Sequence, residues 1–205
     1  MKSLLLNYVA AAWCALLVAP SAIAGVPANA ELVPLHNGIN EVNFGPKTVG
    51  AMVMLAHREN FNAHSFAMAS FYLRTDAQNS QPKQWQVVPF HLDPKSGNFE
   101  YFQKVGGGAD CQTCTFRLLV DRKTDATYVV IAERQFGDSF ADTRPVTFTW
   151  LKLTRGNGLP GEPVAWFKPF EIETTKAAYC NVDQAIKTEL RLDGAMMPRE
   201  GSLGE

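Results

Sequence analysis

The sequence predicts an all-β protein, an antiparallel β-sandwich finished by a short C-terminal helix. Three observations predict it. Short runs rich in Val, Ile, Thr, Phe and Tyr alternate with turn signals along the chain. The apolar residues, among them 13 Phe, 5 Tyr and 4 Trp, are spread rather evenly. Helical spacing is clear only near the tail. That pattern fits a sandwich better than a βαβ fold.

Taken in order, 31–44 reads as an N-terminal hairpin around His36-Asn37-Gly38, because Asn-Gly favours the positive φ of a tight turn. Residues 49–56 are nearly all apolar, and their length favours a strand over a buried helix. Residues 64–74 alternate Phe66, Met68, Tyr72 against Ala67, Ala69, Phe71, Leu73. A helix competes there through Phe66, Ala69 and Leu73. The polar stretch 75–84 with Pro82 reads as a loop, and 85–92 as a strand that Pro89 confines to an edge or a bulge.

Cys114–Asp121, the polar turn 122–125 and Thr127–Glu133 form a hairpin. Residues 145–154 place Val146, Phe148 and Trp150 on one face and Thr147 and Thr149 on the other, the period of a half-buried strand. After the turn-rich 156–163, residues 164–173 add a last strand kinked at Pro169. The expected core centres on Phe116, Leu118, Val129, Ile131, Phe148 and Trp150. In the tail, Asn181 is placed to cap a helix whose Val182, Ile186 and Leu190 recur every four residues beside Ala185.

Lys2, the apolar run from Leu4 to Val18, Pro20 and the small-residue site Ala22-Ile23-Ala24 form the three-part pattern of a secretory signal peptide, residues 1–24. A second site lies at Ala28-Asn29-Ala30. Trp13 before Cys14 is too large for a lipobox. The sequence therefore predicts a periplasmic or secreted product, residues 25–205, forming one β-sandwich-like unit with room for two sub-lobes. No later stretch approaches the ~20 apolar residues of a spanning helix. Removing 1–24 takes only Lys2 of the 19 basic side chains and none of the 20 acidic ones. A nearly neutral chain lacks the field that nucleic acid requires.

Three cysteines remain: Cys111, Cys114 and Cys180. An oxidising compartment favours a structural disulfide, with Cys180 joined to Cys111 or to Cys114. A redox reading of Cys111-Gln112-Thr113-Cys114 wants a helix start, whereas a strand follows. Zinc would need ligands from elsewhere. His36, His57, His64 and His91 are dispersed, with no HExxH motif, and read as satisfied by water or backbone. Gly106-Gly107-Gly108-Ala109-Asp110 lacks the ending of a phosphate loop and reads as a mobile turn. No Gly-x-Ser-x-Gly elbow occurs. The binding-loop candidates are Arg134, Phe136, Asp138, Phe140, Asp142 and Arg144, which interleave charge and aromatic rings between two strands.

The Cys114–Val120 run (Cys-Thr-Phe-Arg-Leu-Leu-Val), the Pro145–Trp150 run (Pro-Val-Thr-Phe-Thr-Trp) and the export signal together resemble carbapenem self-resistance proteins of the CarG type, over residues 31–192. The resemblance implies a periplasmic β-rich protein that protects carbapenem producers without hydrolysing the β-lactam. It carries over no ligand residue. The function expected is an exported, non-enzymatic binding and protection protein, without a cofactor, whose partner is a small molecule or an envelope protein; a homo-oligomer is compatible. The alternatives are a metal-dependent periplasmic enzyme, which needs His57, His64 or His91 to meet Cys or acidic residues in space, and a structural interaction domain of the envelope.

Overall fold

The computed structural model describes residues 25–44, 50–62, 64–75, 84–108 and 111–194. Residues 1–24, expected from the sequence to be a signal peptide, lie outside them. Ten strands form: β1 Glu31–Val33, β2 Gly38–Val42, β3 Ala51–Arg58, β4 Phe66–Thr75, β5 Gln84–Val87, β6 Gln103–Gly107, β7 Gln112–Asp121, β8 Ala126–Arg134, β9 Arg144–Arg155 and β10 Ala165–Tyr179. A short helix, α1 Val182–Ala185, continues as a π turn over Ile186–Leu190. The protein is thus all-β and antiparallel with a short C-terminal helix, as its sequence predicts.

The strands hydrogen-bond as one sheet in the order β10-β9-β8-β7-β6-β4-β3-β2, with β1 added to β7 and β5 to β4. The sheet folds over at β6. Its register proves this: β9, β8, β7 and β6 separate β10 from β4, yet the rings of Phe71 on β4 and Phe167 on β10 lie 5.3 Å apart. Phe71 also meets Phe90, Phe116 and Phe44 at 5.2, 5.5 and 6.5 Å. The two halves join again at Phe90, where Phe167 N–H donates to Pro89 O and His91 N–H to Phe167 O. Pro89 serves here as an acceptor, which costs it nothing for its missing donor.

Period 2 decides the ambiguous segments. In β4 it buries Ala67, Ala69, Phe71 and Leu73 completely and leaves Phe66, Met68 and Tyr72 half-buried, so the strand prevails over the helix. β7 to β9 are covered on both faces. Phe116, Leu118, Val129, Ile131 and Leu151 face the first core. Leu119, Val130, Val146, Phe148 and Trp150 face a second core closed by Val182, Ala185, Ile186 and Leu190. Phe148 and Trp150 are therefore buried as expected, but beneath the tail helix rather than beside Phe116, because alternation on β9 points them to the opposite face.

Asn181 caps α1 by accepting from Asp183 N–H at 2.8 Å. Asp183 in turn reaches down to Arg117 on β7, at 2.6 Å, and fastens the helix to the sheet. The expected N-terminal hairpin does not form. Gly38 does turn, at φ 102°, and Asn40 closes the turn through both His36 N–H and His36 O. However, β1 pairs with β7 and β2 with β3, in opposite halves of the fold. Each short strand gains more from a long buried partner than from the other.

Candidate functional site

The disulfide joins Cys111 to Cys180 and leaves Cys114 as a free thiol. It ties the start of β7 to the end of β10, across a sequence separation of 69. Arg134, the last residue of β8, donates to Cys180 O at 3.0 Å and is only 3% exposed. The Cys180 sulfur lies 3.5 Å from Ala141 O. The loop 135–143 is thereby seated on the disulfide.

Within the loop, Asp142 accepts from Ser139 Oγ and from the N–H groups of Asp138 and Ser139. Those hydrogen bonds, with Arg144 at 3.7 Å, hold its carboxyl below the usual carboxylate range. Asp138 is exposed, 4.0 Å from Arg144. Of the six binding-loop candidates, Asp142 and Arg144 build the loop, Arg134 anchors it from below, and Phe136 and Phe140 present its apolar surface. The two rings meet edge to face at 5.2 Å, with Phe136 66% exposed.

Phe140 forms one wall of a shallow groove of about 280 Å³ lined also by His64, Phe66, Lys104, Gly107 and Thr113. His64 stands 5.0 Å from the Phe140 ring. Phe66 forms another part of the wall, with Lys104 Nζ 4.7 Å from its ring centroid and the Arg58 guanidinium 5.4 Å from it. Strand register explains the grouping, because Arg58 pairs with Phe66 on β3 and β4, and Lys104 on β6 pairs with Met68, two residues along the same face.

Gly107 contributes to the floor. A Cβ at Gly107 would stand 2.1 Å from Cys111 O, and one at Gly108 would stand 2.6 Å from Phe140 Cβ. These residues lie at and just beyond the end of β6, packed closely against the disulfide-bonded residue and the loop, and the rest of the expected turn, 109–110, lies outside the described residues. The register shifts between Gly106 and Gly107, a bulge of the kind that re-aims side chains beside functional sites.

Cys114 borders this floor. Its thiol donates to Gly106 O at 3.5 Å, and burial pushes it above the usual thiol range. Of the other histidines, His57 is 3.4 Å from Glu59, His36 sits in the Asn37 turn and His91 packs on Phe99. Among the described residues, no group of three or more His, Cys, Asp or Glu side chains is placed to hold a metal ion. No helix among them is long and apolar enough to cross a membrane.

The sequence reading named Phe140 but not Phe66, Lys104 or Thr113 as site residues. No local signal could have found them. They come from β4, β6 and β7, separate strands that only the pairing register of the sheet sets side by side.

No protein-family model matches the chain, and no curated protein matches it. Among solved structures, the crystal structure of CarG superimposes with a TM-score of 0.61, at 20% identity, over 82% of this chain and 99% of that one. The chain has the CarG fold, as the resemblance of its Cys114–Val120 and Pro145–Trp150 strands implied.

Proposed function

We propose that this is an exported protein that protects its cell by binding, in the way the carbapenem self-resistance resemblance implies, without hydrolysing the drug. The observation that carries the reading is the groove between Phe66 and Phe140, a ready-formed concavity with apolar walls and one lysine on a CarG-like fold. Export is supported by the Cys111–Cys180 bond, which belongs to an oxidising compartment. Val26 and Ala30 pack against the second core, which favours processing before Gly25 over processing before Glu31.

The test is expression in a carbapenem-sensitive host, with survival and drug concentration measured together. Survival with the drug intact in the medium is the expected result. Survival with drug loss that a chelator abolishes would favour a metal-dependent enzyme, and no survival would remove this drug class from the proposal.

A further inference from the structure

We infer that the groove is a site for a small monoanion, a single carboxylate on a compact apolar body, with Lys104 as its counterion and Phe66, Phe140 and His64 as its walls. This rests on the binding function proposed above and names the ligand class of that site. Charge is the first argument. Arg58 and Lys104 flank the ring of Phe66, and neither makes an ion pair among the described residues. Glu59, the acidic neighbour of Arg58 in sequence, is already engaged by Ser65 Oγ, by Phe61 N–H and by His57. Two cations without carboxylate partners on one strand face leave a local positive field.

The second argument is the balance of that charge. Glu133 acts on the Cys114 thiol from the same neighbourhood as Lys104, in the opposite sense. Two bases against one acid leave a small net positive charge, enough to balance a single carboxylate. Shape gives the third. About 280 Å³ lies just under the usual range of ligand pockets, room for a small ligand only, and the Phe66 and Phe140 side chains that line it offer apolar surface to a compact body. The walls are also preorganised: Phe140 is held by a loop fastened through Asp142 and the disulfide, and Phe66 is held in a strand between β3 and β6.

The probes are a carbapenem with a free carboxylate and the same molecule with that carboxylate esterified, titrated calorimetrically into the processed protein. The expected result is that the acid binds more tightly than the ester, and that amide resonances of Gly107, Gly108 and Thr113 shift on titration. Lys104 is exposed, so Lys104→Met should weaken the acid about two- to fivefold, and Lys104→Glu by about tenfold. Lys152→Met, on β9 beside Tyr128, should leave it unchanged. Circular dichroism confirms that each variant is folded.

If the ester binds as well as the acid, or the Lys104 variants bind like wild type, the carboxylate site is overturned while drug binding and protection stand. If the acid does not bind but the protein still confers survival, both the site and protection by sequestration fall. If it neither binds nor protects, the functional proposal falls with the site.

Discussion

Removing the Cys111–Cys180 bond should cost this fold a large share of its stability. The suitable perturbation is Cys111→Ala with Cys180→Ala, because either single change would free a thiol beside Cys114, only three residues from Cys111. With a sequence separation of 69, the chain-entropy model gives a loss of about 4 kcal/mol, near the upper end of the usual 2–5 kcal/mol range. For a chain of this size that corresponds to a fall in Tm of roughly 8–16 °C. In urea it corresponds to a midpoint shift of about 2 M if m is near 2 kcal/mol/M.

Denaturation followed by far-ultraviolet circular dichroism measures the loss directly. Chymotrypsin supplies a local readout, because the loop that carries Phe136 and Phe140 sits on Cys180 and should become the first cleavage point in the variant. A double variant within about 1 kcal/mol of wild type would refute the argument. It would mean that the contacts around Arg134 and Ala141 hold these segments together in the unfolded ensemble as well, or that the bond does not form in the isolated protein.

Three further outcomes are expected. Phe71→Ala, which empties the centre of five packed rings, should destabilise by about 3–5 kcal/mol in urea denaturation, and Phe71→Leu by clearly less. Asp183→Ala leaves the buried Arg117 guanidinium without its partner; because Asp183 is about a third exposed, the loss should be about 2 kcal/mol rather than the full cost of breaking a buried pair. Adding Arg117→Met should recover most of it, and failure to recover would show that the pair is not what fastens α1. Burial and the hydrogen bond to Glu189 raise the Tyr179 phenol to about 12, so absorbance at 295 nm should show one tyrosine still protonated after the others ionise. The folded pKa lies above the unfolded one, so Tyr179 contributes fully below about pH 10, and that contribution should decline as pH rises from about 10 to about 12. A Tyr179→Phe variant with the same alkaline stability profile as wild type would count against that assignment.

Much of the fold was legible along the chain, because a strand writes its period into its own residues. Alternation marked β7, β8 and β9 nearly to their ends, Pro169 marked the irregularity in β10, and Asn181 with Val182, Ile186 and Leu190 marked the tail helix. The sequence also pointed to a disulfide from Cys180 to Cys111 or Cys114, and placed Phe136 and Phe140 in a loop between two strands.

Tertiary structure decided the rest. It chose Cys111 over Cys114, sent β1 to β7 instead of β2, turned Phe148 and Trp150 toward the helix and Phe116 toward the opposite core, and brought Phe66, Lys104 and Phe140 to one groove. Alternation states only that two faces differ, and which face meets which partner depends on how the whole sheet folds over at β6. A groove whose walls come from residues 66, 104 and 140 has no local period to betray it, since its geometry is set by strand register and by the close approach that Gly107 and Gly108 allow.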